Sequence, residues 1–467
     1  MTILYIVLLY NIIYIIRQNY LKMKKIITIL FLLASGWTSV HSQSPVYVYY
    51  NSSTAKPDRN IIRENNIAYC EEESSGIGYF AYLSSLSDNS PINRVKLPPQ
   101  WSIWDFHVVD SIAVFCGTNS VSDKALLGYF HIGELMAGTS VTFHLDREIG
   151  LHISILNRIA VCKSKNKLSL MAIGNSSQNV NPNMDGADRV VYVDDFLSFA
   201  QKSIFNSEDM DELFWDVVVT DGFFVTTGTL SSNKIIMRSL PKGTPISSFS
   251  TQFSNGYKYF STIDLVSGIR AANVNNDTVV MAAYFSEMNY WGGYDVWMHL
   301  FTMDVPTGSM NYHQRATSNH PYSGIWHLPP REMVYLSSDT ALMVIDTSLS
   351  LGLSHVVRLT PYPSVSMGNC YVPQYYLIDQ GLCQFNSLIA LSTTKCLAAW
   401  QKGWMLLDVG MYLPPMSSSG CITSFTTDWF KELELVSSTT SNGNSTSYGF
   451  SMYDEISWVD SVLITEC

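Results

Sequence analysis

The chain contains two versions of one fifteen-residue segment. Residues 104–118 read WDFHVVDSIAVFCGT and residues 215–229 read WDVVVTDGFFVTTGT, so seven of the fifteen positions are identical. Both copies contain an apolar run, a turn-forming Asp and a second apolar run. An internal repeat constrains the fold strongly, because each copy should form the same small unit and bury its apolar surface against its neighbours.

Shorter versions of this pattern, an Asp or Asn followed by an apolar run, recur along the chain. Asp and Asn suit turns because they tolerate left-handed backbone, and the runs after them lack helical spacing, as strands buried on both faces do. The hairpin after Asn386 is open to a second interpretation, in which KCLAAWQKGWMLLDV (residues 395–409) forms it. The predicted turn residues are Asn65, Asp110, Asn157, Asp221, Asp277, Asp339 and Asn386, with a weaker eighth at Asp428.

The turn residues are separated by 45, 47, 64, 56, 62, 47 and 42 residues, which suits a four-stranded unit with variable loops. Sheets covered on both faces by their neighbours can close radially. In this respect the chain resembles a secreted bacterial β-propeller over residues 43–467. The resemblance implies an all-β fold, a single propeller of four-stranded antiparallel blades. Seven blades are favoured, with eight or six as alternatives, and residues 46–50 could close the ring by joining the last blade.

The N-terminal residues are predicted to be a targeting segment. From Met23 the chain has two lysines, an apolar run and a small-residue cleavage pattern ending at Ser42, which together are typical of a signal peptide. We therefore expect residues 1–22 to be a misassigned upstream extension, 23–42 a signal peptide and 43–467 the propeller. The alternative is an additional membrane segment within residues 1–16. The mature protein is expected to be exported to the periplasm, cell surface or medium, without a stable membrane span.

The charge balance limits the classes of partner. Removing residues 1–42 lowers Lys plus Arg from 28 to 24 and leaves all 39 acidic residues, so the net charge becomes about −15. An acidic chain without a basic cluster is a poor partner for nucleic acid. Charged residues make up only 14% of the chain and aromatic residues 13%, which indicates a large ordered core. We expect a monomer.

Eight cysteines in an exported chain raise the question of disulfides. Cys70, Cys116 and Cys162 follow successive predicted turns, so they should lie on equivalent strands of adjacent blades. Packed sheets are about 10 Å apart, too far for a disulfide, so these three are predicted to be free thiols. The candidate disulfides are Cys370–Cys383 and Cys421–Cys467.

The segment NPNMDGADR, residues 181–189, imitates the first half of a calcium-binding loop. Its oxygen ligands would be Asn181, Asn183, Asp185 and Asp188, with a glycine at the sharp turn. Tyr192 occupies the position where a bidentate Glu is expected, and Asp188, Asp194 or Asp195 could substitute for it. Ca²⁺ is therefore one possible cofactor, and an ordinary loop rich in Asn and Asp is the alternative.

A second candidate site is the aromatic hairpin EMNYWGGYDVWMH, residues 287–299. Flat side chains with polar edges can stack on sugar rings. The alternative is that Trp297 belongs to the blade core and the other rings pack on a neighbouring loop. The candidate ligand-binding residues are Tyr290, Trp291, Tyr294 and Trp297.

Asp105 and Asp216 occupy the same position in the two copies of the repeat. If both face a central channel, they could act as a catalytic acid and base. The alternative is that an Asp at the start of a strand satisfies backbone amides. No HExxH, GxSxG or Walker sequence is present to support a particular reaction.

These observations favour an exported, non-enzymatic binding or scaffold protein that presents its loops to a protein or glycan partner. The alternative is a carbohydrate-active enzyme, a hydrolase or lyase, that uses the channel-facing acids.

Overall fold

In the computed structural model the chain divides into two compact units, Met1–Tyr47 and Val48–Cys467. Strand β1 (Val46–Tyr50) begins in the first unit, and all other described residues belong to the second. The expected boundaries at residues 22 and 42 lie outside the described residues. The structure describes residues 46–50, 57–72, 77–85, 88–122, 124–146, 153–164, 167–176, 188–198, 202–207, 212–230, 234–244, 257–262, 265–288, 294–317, 327–328, 332–337, 341–348, 353–364, 368–378, 385–393, 395–400, 403–408, 418–419, 422–426, 435–441, 445–450, 456–459 and 463–464.

The described strands form antiparallel sheets, most of which are built from four consecutive strands. Sheet 1 consists of β2 (Pro57–Arg63), β3 (Ile67–Glu72), β4 (Gly78–Ser85) and β5 (Asp88–Lys96). Sheet 2 consists of β6 (Trp101–Val109), β7 (Ile112–Asn119), β8 (Lys124–His131) and β9 (Thr142–Asp146). Sheet 3 consists of β10 (Ile153–Ser164), β11 (Lys167–Ser176), β12 (Arg189–Val193) and β13 (Lys202–Ser207). Among the described residues there are two short helices, a 3₁₀ turn at Glu64–Asn66 and α1 (Ile132–Ala137).

The pattern continues through the second half of the chain. Sheet 4 consists of β14 (Glu212–Val219), β15 (Phe223–Leu230), β16 (Lys234–Pro241) and β17 (Tyr257–Thr262). Sheet 5 consists of β18 (Leu265–Asn275), β19 (Thr278–Met288), β20 (Tyr294–Asp304) and β21 (Ser309–Thr317). Sheet 6 consists of β22 (His327–Leu328), β23 (Met333–Ser337), β24 (Ala341–Ser348), β25 (Leu353–Ser364) and β26 (Gly368–Ile378). Sheet 7 consists of β27 (Phe385–Ala390), β28 (Lys395–Trp400) and β29 (Gly403–Asp408), with β1 as its fourth strand.

The C-terminal strands add to the outer edges of sheets that are already formed. They are β30 (Ser418–Ser419), β31 (Ile422–Thr426), β32 (Leu435–Ser441), β33 (Ser445–Phe450), β34 (Ile456–Val459) and β35 (Leu463–Ile464). Strand β31 pairs with sheet 6, and β32 to β35 pair in turn with sheets 4, 3, 2 and 1. Each pairing satisfies backbone groups that an open sheet edge would expose.

Neighbouring sheets supply each other's core, which explains why the strands after the turns are almost wholly apolar. Separate buried clusters lie between sheets 1 and 2, 2 and 3, 3 and 4, and 4 and 5. Between sheets 1 and 2, the ring of Phe80 lies 5.3 Å from that of Phe106 and 4.8 Å from that of Phe130. The all-β prediction is confirmed, and this arrangement of repeated, mutually covered sheets fits a propeller architecture.

Most of the predicted turns that fall in described residues are where the sequence placed them. Asn65 and Asp110 adopt the left-handed backbone, with φ of 59° and 53°, and Asn276 does so beside Asp277. Asp221 lies in the loop between β14 and β15. Asp339 and Asp428 lie outside the described residues.

The predictions of turns at Asn157 and Asn386 are wrong. Both lie inside strands, in β10 and β27, at points where the pairing register shifts by one residue. The alternative hairpin after Asn386 is confirmed as β28 and β29. Because Asn157 is not a turn, Cys162 lies on the first strand of its sheet, and is not equivalent to Cys70 and Cys116 on second strands.

The same bulge accounts for the start of the repeated segment. Trp104 and Trp215 are the unpaired residues at register shifts in β6 and β14. A glycine on the neighbouring strand faces each bulge, Gly117 in one copy and Gly228 in the other. A Cβ on Gly117 would lie 2.0 Å from the carbonyl oxygen of Ser102, so only glycine permits this close approach.

We expect Gly117→Ala to lower the free energy of unfolding by about 1–3 kcal/mol, because the methyl group would push β6 and β7 apart at the bulge. Urea unfolding followed by circular dichroism measures this change. Gly133→Ala in α1 is the matched control, because nothing lies within 4 Å of its Cβ position and alanine favours a helix. Equal stabilities of the two variants would contradict the close-approach argument.

Candidate functional site

One cavity is bordered by residues from all seven described sheets. Its volume is about 300 Å³, and each sheet contributes one strand, called here its inner strand. The inner strands are β2, β6, β10, β14, β18, β23 and β27. The charged residues and His107 that line the cavity are Arg63, Glu64, Asp105, His107, Arg158, Asp216 and Glu332.

Asp105 ties two inner strands together. Its Oδ1 accepts a hydrogen bond from the backbone N–H of Phe106 at 2.9 Å and another from Arg63 Nη2 at 2.7 Å. Its Oδ2 accepts from the backbone N–H of Ile159, on the inner strand of the next sheet, at 3.2 Å. Both oxygens of this buried carboxylate are therefore engaged.

Asp216 repeats the arrangement one copy later. Its Oδ1 accepts from the backbone N–H of Val217 at 2.9 Å, and its Oδ2 accepts from Ala271, on the inner strand of sheet 5, at 2.8 Å. We call this arrangement, at Asp105 and at Asp216, the carboxylate latch. Each latch accepts hydrogen bonds from two backbone amides and joins one sheet to the next.

An arginine accompanies each latch. Arg63 Nε donates to the carbonyl of Phe106 at 2.8 Å, and Arg270 Nη1 donates to the carbonyl of Trp215 at 2.7 Å. These guanidinium groups come from sheets on opposite sides of their latches, since Arg63 lies on the preceding sheet and Arg270 on the following one. Each buried carboxylate therefore has a buried guanidinium group nearby, and this opposite charge offsets part of the free-energy cost of burying an ion.

The two latch carboxylates differ in their electrostatics. Burial alone raises the pKa of Asp105, but the charges of Arg63, His107 and Arg158 outweigh it and leave that pKa below its ordinary value. Burial raises the pKa of Asp216, and the charges of Arg270 and Arg158 do not offset it. The ionised form of Asp105 is thus favoured by the fold, whereas that of Asp216 is disfavoured.

A second charged group lies beside the first latch. Glu332 Oε2 lies 3.3 Å from Arg158 Nη1 and 3.5 Å from Arg63 Nη2. His107 Nε2 lies 3.8 Å from Asp105 Oδ2. Arg63, Arg158 and Glu332 were not among the predicted site residues. The only available signal was a lone arginine within an apolar strand, as in ILNRIAV.

The structure brings Asp105 and Asp216 to one cavity, as the sequence predicted for channel-facing acids. Their hydrogen bonds correspond to the structural alternative, in which the carboxylates satisfy backbone amides. Their use as an acid and base remains a prediction.

The other candidate sites fall largely outside the described residues. Tyr290, Trp291, Asn181, Asn183 and Asp185 are outside them. Tyr294 and Trp297 lie on β20, and their side chains are not among those described. Asp188 Oδ2 lies 3.2 Å from Arg189 Nη1. In the described part of the chain, no three His, Cys, Asp or Glu side chains are grouped to hold a metal ion.

The described cysteines are free thiols, namely Cys70, Cys116, Cys162 and Cys396. Burial raises the pKa of the Cys70 thiol to about 12, which makes it unreactive at neutral pH. The candidate disulfides Cys370–Cys383 and Cys421–Cys467 lie outside the described side chains. Within the described residues, no helix has the length and apolar character needed to cross a bilayer.

Comparisons with known proteins show no family for the chain. No family model matches it, and no curated protein matches it. Among solved structures it is similar to "YCF48 bound to D1 peptide", with 9% identity and a TM-score of 0.43. That match covers 79% of this chain and 98% of the other.

We expect the two latches to respond oppositely to acid. Above the unfolded pKa of about 3.9, ionised Asp105 stabilises the fold fully, and this contribution is lost as the pH falls through its lowered folded pKa. Ionised Asp216 costs stability above its raised folded pKa, and that cost disappears as the pH falls from there towards about 3.9. At neutral pH, Asp105→Asn should cost about 3–5 kcal/mol, because it leaves Arg63 buried without its closest partner.

Urea unfolding of wild type, Asp105→Asn and Asp216→Asn between about pH 3 and pH 7 measures these effects. On acidification, the stability advantage of wild type over Asp105→Asn should shrink, and its advantage over Asp216→Asn should grow. Parallel pH profiles for the two variants would show that the latches are electrostatically equivalent.

Proposed function

We propose that the chain is an exported, seven-bladed β-propeller that binds a protein or glycan partner through the loops joining its strands. Seven described sheets support the blade number, since each supplies one inner strand to the wall of a single cavity. Pairing of β1 with β29 supports closure of the ring, because it joins the first strand of the propeller to its last blade. We further propose that the protein is a monomer.

One observation carries the choice of binding over catalysis. Both oxygens of Asp105, and both of Asp216, accept hydrogen bonds from backbone amides. A general base must be accessible to the proton that it removes, whereas Asp105 and Asp216 are only 3% and 8% exposed and are oriented by these backbone bonds. Carboxylates committed to the backbone in this way serve the scaffold, and the loops remain for recognition.

A carbohydrate-active enzyme is the second candidate, and a different observation favours it. Glu332, Asp105 and Asp216 converge on one cavity together with Arg158 and His107. Convergence of acids with an arginine and a histidine in one pocket is typical of catalytic sites. Glu332 is then the acid with most freedom to act, because no backbone amide binds it in the described structure.

Binding and catalysis are separated by one assay. Protein expressed from the full chain is applied to a polysaccharide array and, in parallel, incubated with the same polysaccharides while released reducing ends are measured. We expect the protein to bind at least one polysaccharide, or a protein partner, without releasing reducing ends. Reducing-end release by wild type that Glu332→Gln abolishes, with Asp110→Asn as an exposed-acid control, would establish the enzyme instead.

Export is tested separately. Lys24→Glu combined with Lys25→Glu should retain the protein in the cytoplasm of a bacterial host, because a signal peptide needs its positive start. Wild type should be recovered outside the cytoplasm with Gln43 at its N-terminus, as measured by mass spectrometry. Arg17→Glu is the matched control, since residues 1–22 are proposed to play no part. Export of the double variant would contradict the proposed signal peptide.

A further inference from the structure

The cavity retains polar groups that the carboxylate latches do not use. The side chains of Glu332, Arg158 and His107 are 19%, 16% and 39% exposed, whereas that of Asp105 is 4% exposed. They come from the inner strands β10 and β6 and from the residue preceding β23. Three polar side chains from three sheets therefore border the same space.

The size of the cavity limits what could occupy it. A volume of about 300 Å³ is at the lower end of small-molecule sites, and equals roughly ten water molecules at about 30 Å³ each. A single five- or six-membered ring with its substituents is of this size. A folded protein segment or an extended oligosaccharide is too large to enter completely.

The charges of the cavity limit the ligand's charge. Glu332 is paired with Arg158 at 3.3 Å and with Arg63 at 3.5 Å, and Asp105 is paired with Arg63 at 2.7 Å. A charged ligand that enters between these pairs would have to displace one member and leave the other poorly compensated. Of the other acids that line the cavity, Glu64 is exposed, and burial raises the pKa of Asp216 and so disfavours its ionised form. A neutral ligand with hydroxyl groups leaves the pairs intact, because each hydroxyl can donate to a carboxylate and accept from a guanidinium.

The remaining wall is apolar and suits the carbon face of such a ligand. It includes Val218 of β14, Leu388 of β27 and Ala390 of β27. Ala390 is exposed although it is apolar, so a ligand here would cover apolar surface that water now contacts. The cavity thus combines a paired-charge side with an apolar side, as sites for small polar ligands commonly do.

We propose that this cavity binds one neutral monosaccharide, with adjacent hydroxyls bridging Glu332 and Arg158 and a third hydrogen bond to His107. The inference rests on the proposed binding function, and it places a second, smaller recognition site within the same propeller. Specificity for neutral sugars follows from the paired charges.

The test is titration calorimetry of the purified full chain with D-glucose, D-galactose, D-mannose and D-xylose. D-glucuronate and D-glucosamine serve as the anionic and cationic counterparts. We expect at least one neutral sugar to bind and both charged sugars to bind more weakly. Failure of all four neutral sugars to bind, or tighter binding of a charged one, overturns the proposal.

Two variants locate the site. Glu332→Gln replaces a charge-assisted hydrogen bond with a neutral one and should weaken sugar binding about tenfold. Ala390→Phe leaves the charged groups in place and should abolish binding by filling the cavity. Asp110→Asn is the control, because Asp110 is exposed, pairs with Lys163 at 2.6 Å and does not line the cavity. Melting temperatures establish that each variant is folded, and sugar binding unchanged in Ala390→Phe overturns the assignment.

The same variants separate this inference from the proposed function. Folded Ala390→Phe should still retain the macromolecular partner on the array while losing the free sugar. Partner binding without any monosaccharide binding to wild type would overturn the cavity inference alone. Absence of both would overturn the two proposals together.

Discussion

The carboxylate latch is the interaction on which the arrangement of neighbouring sheets depends. Each latch is a set of hydrogen bonds that one aspartate accepts from backbone N–H groups on two inner strands. Asp105 accepts one such bond from its own strand and one from the next sheet, and Asp216 repeats both bonds. The latch therefore fixes the relative position of two sheets while removing the cost of unpaired buried amides.

Apolar packing between the sheets supplies the cohesion that the latches direct. The clusters between successive sheets contain few polar atoms, and the rings of Phe80 and Phe130 meet across one interface at 4.8 Å. Hydrophobic burial has little directional preference, so it would tolerate small slides of one sheet over another. The latches remove that freedom at the two places where they join one sheet to the next.

The latches also determine what the cavity can do chemically. Asp105 and Asp216 would be the natural acids of an active site, but the backbone has already engaged their oxygens. Glu332, Arg158 and His107, together with the exposed Glu64, are left as the charged groups and histidine with access to the cavity. The proposed recognition of a neutral ligand depends on this division between carboxylates that hold the scaffold and side chains that face the cavity.

The sequence by itself determined the repeated strand and turn pattern, the all-β class and the equivalence of Asp105 and Asp216 within the repeat, whereas the structure placed both on one cavity. Turns and apolar runs are local, so Asn65 and Asp110 could be assigned from their neighbours. The same reasoning failed at Asn157 and Asn386, because an Asn suits a bulge as well as a turn. Only the tertiary structure decided the pairing of Arg63 with Asp105 and of Arg158 with Glu332. These partners lie far apart in sequence, and nothing local to either records which strand the fold brings beside it.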